Sequence, residues 1–211
     1  MKEMMIKDHA LIYALLCKNC LHEVEKQMGE KLIEEITVSY GISRGKRMKR
    51  LALSENRKAD LDSFFIHGEW KGQAGENISE MVYGKDRTAS IVKKCAWFDT
   101  WEKYGLLKYG KYYCRYIDKA IAQGFEGDFS LEVKKTISAG DGSCEFVWNS
   151  SSDKNHIEEE KIKKDHVLPF SFHVKELLEC AREVLKRYDL EKIIDKTTAE
   201  YRKLIERQQG E

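Results

Sequence analysis

The chain has 211 residues, 42% hydrophobic and 35% charged, and its 37 basic residues against 36 acidic ones leave a net charge of +1. This length and apolar content exclude a disordered chain and are enough for one domain with a sizeable core, while the near-zero charge gives no field for holding nucleic acid or an anionic membrane. The longest apolar run, Ala10 to Cys17, is too short to span a bilayer, and the amino-terminal segment has no cleavable hydrophobic region. The reading is a single cytoplasmic domain over 1–211 with a small-molecule substrate, no nucleic-acid or membrane partner, and room for a homodimer. Six cysteines without a signal peptide read as reduced thiols rather than a disulfide framework.

In chain order, residues 8–38 carry a helical apolar period, with Gly29 inside the pattern rather than ending it. The stretch Tyr40-Gly41-Ile42-Ser43-Arg44-Gly45 reads as an interruption before a second, polar-faced helix over 46–65. The pattern then changes. β-Branched and aromatic residues alternate with polar ones over 88–98, 129–137 and 143–148, which predicts three strands, with a short further one over 78–83. Between the first two, Tyr113, Ile117, Ala120 and Ile121 make a helix over 110–123, ended by Gly124. Residues 149–165 are polar and charged and read as a surface loop. Pro169 opens a helical region from 171 onward, broken near Asp189. This order predicts an α+β fold: helices over 1–75, a central antiparallel sheet with an embedded helix over 76–150, and C-terminal helices over 169–208. There is no glycine-rich phosphate loop, dinucleotide fingerprint or Gly-x-Ser-x-Gly elbow.

Two motifs gather most of the reactive side chains. In Tyr112-Tyr113-Cys114-Arg115-Tyr116-Ile117-Asp118, a helical spacing of four puts thiol and carboxylate on one face. In Thr136-Ile137-Ser138-Ala139-Gly140-Asp141-Gly142-Ser143-Cys144-Glu145-Phe146, a Gly/Asp turn places Asp141 at its tip, where it also suits capping of backbone amides. Cys144 shares its strand face with Phe146 and Trp148 by the two-residue period. The pair Cys17 and Cys20, with Leu21 before His22, lacks both the haem-attachment order and a second zinc-binding pair, and reads as core. Arg44, beside Lys46, Arg47, Lys49 and Arg50, reads as part of a solvated basic face. His9, His22, His67, His156 and His166 show no partner pattern and read as structural or exposed.

The ordered set Tyr40-Gly41-Ile42-Ser43-Arg44-Gly45, Cys95, Tyr113-Cys114 with Asp118, Gly124-Phe125, Thr136, Gly140-Asp141, Cys144-Glu145-Phe146 and Phe172-His173 resembles the L-2-amino-thiazoline-4-carboxylic acid hydrolase family, over roughly residues 10–185. The resemblance implies hydrolysis of a small cyclic amidine or thiazoline C–N bond, typified by ring opening to N-carbamoyl-L-cysteine on a route to cysteine. It implies Cys114, Cys144 and His173 as nucleophile and base, the choice of cysteine left open, with Asp118 or Asp141 orienting the histidine. Arg44 or Arg115, with Thr136, would hold the substrate, its carboxylate in a bidentate pair. No cofactor is expected. Zinc held by Cys95, Cys114, Cys144 and His173 is the alternative, without a close-spaced ligand pair behind it. The Gly-Asp-x-x-Cys-x-Phe ending is also similar, more faintly, to small-molecule sensor domains of the vinyl-reductase type, which implies a binding module with an aromatic cavity.

Overall fold

The computed structural model describes residues 3–163 and 166–209. Helix α1, Ile6–Glu23, forms the centre of the helical layer. Ala10, Leu11, Tyr13, Ala14 and Leu16 are each no more than 1% exposed, as a helix apolar on all sides requires. Cys17 and Cys20 are buried in the same core.

The apolar rhythm over 8–38 belongs to two helices. The chain leaves helical geometry at Val24 and Glu25, and α2 then runs from Lys26 to Ser54. Periodicity alone cannot separate one long helix from two that turn back on each other, because each buries a stripe with the same spacing. The expected interruption at Gly41 to Gly45 is absent. Both glycines lie inside α2, at its crossing with α5, Leu107–Phe125. A Cβ on Gly41 would lie 2.5 Å from the Ala120 Cβ, and one on Gly45 would lie 2.1 Å from the Ile121 carbonyl oxygen. The glycines set how closely the two helix axes approach. The second helix expected over 46–65 is therefore the end of α2 plus a short α3, Leu61–Ile66, which Asp60 caps by accepting the Ser63 backbone N–H at 2.9 Å.

Four antiparallel strands follow: β1 Ile78–Tyr83, β2 Thr88–Lys94, β3 Leu131–Lys135 and β4 Cys144–Trp148, in the order β1-β2-β4-β3. The strand expected over 88–98 ends at Lys94, and α4, Ala96–Lys103, begins behind Cys95. Its buried residues Trp97, Thr100 and Trp101 follow helical spacing, which the aromatic alternation of the preceding strand had masked. At its C-terminus α5 continues through Gly124, and Glu126 takes the left-handed capping position at φ 50. After β3 a 3-10 turn over Ile137–Ala139 and left-handed Gly140 lead into β4, so the strand expected to reach 137 stops earlier.

The segment 149–165, expected as a loop, contains α6, Lys154–Lys163. Only Ile157 of its described side chains is buried, too little for an apolar period, and residues 164–165 lie outside the described ones. Helices α7, Phe170–Lys186, and α8, Lys192–Gln209, complete the chain, with the expected break marked by Asp189 at φ 56. The result is an α+β fold with helices on either side of a central antiparallel sheet in sequence. Among the described residues no helix is long and apolar enough to cross a membrane.

Candidate functional site

Helix α5 and the sheet enclose a cavity of about 250 Å³. Two periodicities build it. Cys114, Ile117, Asp118 and Ile121 recur at three- and four-residue steps along α5 and form one wall. Opposite them the pairs Ser90–Phe146 and Val92–Cys144 of β2 and β4 present one sheet face. Arg44 of α2, Cys95 and Trp97 at the start of α4, and Trp70 and Asn77 before β1 close the remaining sides.

Arg44 is the cation of this cavity. It is 4% exposed, and its Nε donates to Glu69 Oε2 at 3.4 Å, while its terminal nitrogens make no hydrogen bond among the described residues. Glu69 is itself fixed. Arg47 donates to both its oxygens, at 2.5 and 2.8 Å, and also to Glu176 of α7, to which Ser43 donates at 2.7 Å. Arg44 is thus anchored at one nitrogen by a buried network, and the solvated basic face expected around it does not include it. The four-residue steps 40, 44 and 48 place it on the buried stripe with Tyr40 and Met48.

Asp118 is the carboxylate of the cavity. Burial pushes its carboxyl up to about 6, and Arg44 partly offsets that rise. No side chain among the described residues hydrogen-bonds it. The three thiols stay protonated. Burial pushes Cys114 well up, with Cys95, Asp118 and Cys144 adding to the rise, and pushes Cys144 up to about 11 and Cys95 upward. Cys144 Sγ accepts the Ile137 backbone N–H at 3.4 Å. Asn77 uses its carbonyl to accept the Ala96 N–H at 3.1 Å, and its Nδ2 has no partner among the described residues.

Of the residues singled out from the sequence, Cys114, Cys144, Asp118 and Arg44 meet in this cavity. His173 does not line it. It is buried behind Arg44, with Nδ1 3.4 Å from the Tyr40 hydroxyl and Nε2 3.1 Å from the Glu69 carbonyl oxygen. Burial, then the charge of Arg44, lowers its pKa to about 4. Among the described residues no carboxylate hydrogen-bonds it, and its ring nitrogens are not grouped with the three thiols. Arg115 is exposed and lies over the rings of Tyr112 and Tyr116. With Thr136 it lines a separate outer groove, which Cys114 also borders. Asp141 is exposed on its turn and accepts the Thr136 backbone N–H at 2.9 Å. We expect Asp141→Asn to shift stability by less than about 1 kcal/mol, as read by urea unfolding. A larger loss would show that the turn is held more strongly than one exposed hydrogen bond implies. The sequence reading passed over Glu69, Trp70 and Asn77, which carry no motif and reach the site only through tertiary folding.

Fold and cavity together define an α+β protein with a partly open, mainly apolar pocket between one helix and one sheet face, into which one arginine, one aspartate and three thiols are set. The sequence model of the L-2-amino-thiazoline-4-carboxylic acid hydrolase family matches residues 7–148, and the chain belongs to that family. The match spans α1 to β4 and so includes Arg44, Asp118 and the three cavity thiols, whereas Phe172-His173 falls outside it. Searches of curated proteins and of solved structures each found no match.

Proposed function

We propose that this protein hydrolyses a small carboxylate-bearing cyclic amidine of the thiazoline class, with Asp118 as the base that activates water and Arg44 as the group that binds the substrate carboxylate. The observation that carries the reading is the pairing, in one cavity of a family member, of an anchored arginine with a carboxyl group that burial pushes up to about 6. A base in that range is mostly ionised at neutral pH yet basic enough to take a proton from water. The guanidinium of Arg44 is held through Nε and keeps its terminal nitrogens for a planar anion.

For 2-amino-thiazoline-4-carboxylate the chemistry balances as follows. Water oxygen bonds to the ring carbon between sulfur and nitrogen while Asp118 takes a proton from it. The ring C–S bond breaks, and the proton on Asp118 passes to the departing sulfur. The remaining hydroxyl proton moves to the ring nitrogen as the carbonyl forms. Both nitrogens remain in N-carbamoyl-L-cysteine, so the bond that breaks is carbon–sulfur rather than the carbon–nitrogen bond expected from the sequence.

The thiols enter this scheme as neutral walls. A nucleophilic cysteine needs a cation or helix N-terminus to lower its pKa, whereas burial and Asp118 raise those of Cys114 and Cys144. We expect Cys114→Ser and Cys144→Ser each to keep turnover within about tenfold of the parent, small beside the roughly 10²–10⁴-fold effect of an acid–base group. The check is a turnover screen of cyclic amidines, thiazolines and lactams, run before and after substitution. Abolition of turnover by either substitution in a folded protein would restore covalent catalysis. The aromatic walls formed by Trp70, Trp97 and Phe146 favour a second reading as a small-molecule-binding module, identified by a ligand that raises the melting temperature and is never turned over.

A further inference from the structure

In the reaction balanced above, one proton transfer has no side chain assigned to it. The proton left on the water-derived oxygen must reach the ring nitrogen, and a direct jump across the O–C–N angle passes through a strained four-membered ring. A hydroxyl group beside both atoms removes that strain, because it gives its own proton to the nitrogen while accepting the one on oxygen. Such a group has to be neutral, fixed in place and free of other partners.

Tyr113 has these properties. It opens the α5 row Tyr113, Ile117 and Ile121, which runs beside the row of Cys114 and Asp118, and all five residues line the cavity. Its ring is held from two elements. Tyr13 and His9 of α1 lie edge-on at 4.8 and 5.6 Å between centroids, and on α4 Trp97 stacks at 6.1 Å while Trp101 lies edge-on at 6.3 Å. These contacts restrict the ring to one orientation. The residue is 7% exposed, yet its hydroxyl makes no hydrogen bond among the described residues and is not one of the polar atoms sealed without a partner in the core. A phenol this buried normally has a partner, and here the open space beside it is the cavity. Burial, then the Tyr40 phenol, with Asp118 and Cys114, raises its pKa well above that of an ordinary phenol, and Arg44 only partly offsets the rise. The hydroxyl therefore stays protonated, and can donate and accept at once.

We propose that Tyr113 is a further catalytic residue, relaying the last proton from the water-derived oxygen to the ring nitrogen. The role rests on the hydrolase reading given above. The phenol O–H bond breaks as the N–H bond forms, and the phenol oxygen takes up the proton released when the carbonyl forms, so Tyr113 ends unchanged and no co-reactant is needed. Ser79 and Ser90 also bring hydroxyls to the cavity, but from the sheet face opposite α5. They serve as controls.

The test is steady-state turnover of L-2-amino-thiazoline-4-carboxylate by the full-length parent, Tyr113→Phe and Ser90→Ala. Phenylalanine keeps the ring contacts and removes one oxygen. The proposal predicts a kcat lowered by at least about 100-fold in Tyr113→Phe, with KM and melting temperature close to the parent's, and Ser90→Ala within about tenfold of the parent. The rise of activity through about 6 that belongs to Asp118 should persist in Tyr113→Phe at the reduced level. A fluorinated tyrosine at position 113 keeps ring and hydroxyl but makes the phenol more acidic, so it should change kcat, whereas a hydroxyl that only packs would leave it unaltered. A parent without turnover removes the hydrolase reading and this role together. A parent that turns over while folded Tyr113→Phe keeps kcat within about tenfold removes this role alone. Should Tyr113→Phe fail to fold, the fluorinated protein decides, and an unchanged kcat overturns the relay.

Discussion

Asp118→Asn is expected to lower kcat by roughly 10²–10⁴-fold and, at pH 7, to make the protein more stable. Both effects follow from one property, the rise of the Asp118 carboxyl from its ordinary 3.8 to about 6. The folded state binds this proton more tightly than the unfolded state. Its contribution to stability is therefore fully present below pH 3.8 and is lost as pH rises through 6. At neutral pH the wild type carries an ionised carboxylate in a site that disfavours the charge, a deficit on the order of 2–3 kcal/mol relative to acid pH. Asparagine has no such charge. Denaturant unfolding of both proteins at pH 4 and pH 7.5 should show little difference at the first and a clear gain for the variant at the second. His9 and His173, whose pKa values burial lowers, destabilise both proteins in acid and cancel from the comparison. A variant that loses stability at pH 7.5 would mean that Asp118 is structural.

Gly45→Ala should produce the largest loss of stability among conservative changes. The new Cβ would lie 2.1 Å from the Ile121 carbonyl oxygen and 2.5 Å from the Phe125 backbone nitrogen. Both are backbone atoms of α5, so no rotamer change relieves the contact and the helices must separate. Overpacking of a core commonly costs 1–3 kcal/mol, and a backbone-to-backbone clash belongs at or beyond the upper end, about 3 kcal/mol or roughly 6–12 °C in melting temperature for a chain of this size. Separation of α2 from α5 would also move Arg44 relative to Asp118. Any folded fraction should therefore be less active than the parent per molecule. A melting temperature within a degree of the parent's would show that the crossing is not set by this glycine.

Periodicity made the walls of the cavity legible before the structure was known. The four-residue step from Cys114 to Asp118 and the two-residue step from Cys144 to Phe146 each define a face, and those faces meet. What lay beyond the sequence was the third dimension of the charges. Arg44 has basic neighbours and looks solvated, yet α5 buries it, and its partner Glu69 comes from a segment with no motif. His173 follows the residues of the resemblance in order but spends both ring nitrogens on Tyr40 and the Glu69 carbonyl. Asp141 was equally conspicuous, and its turn keeps it outside the cavity. Element boundaries failed where one apolar pattern served two structures, as at Val24 and Cys95.

The central claim is that Asp118 and Arg44 open a cyclic amidine by activated water. The most direct measurement is the formation of N-carbamoyl-L-cysteine from L-2-amino-thiazoline-4-carboxylate by the purified protein, followed by mass spectrometry across a pH series spanning 6. The account predicts product, with kcat/KM rising from acid pH to a plateau through an apparent pKa of about 6, and loss of that rise in Asp118→Asn. No product at any pH, or a rate that climbs only towards the alkaline range in which the thiols ionise and that thiol alkylation abolishes, would contradict it.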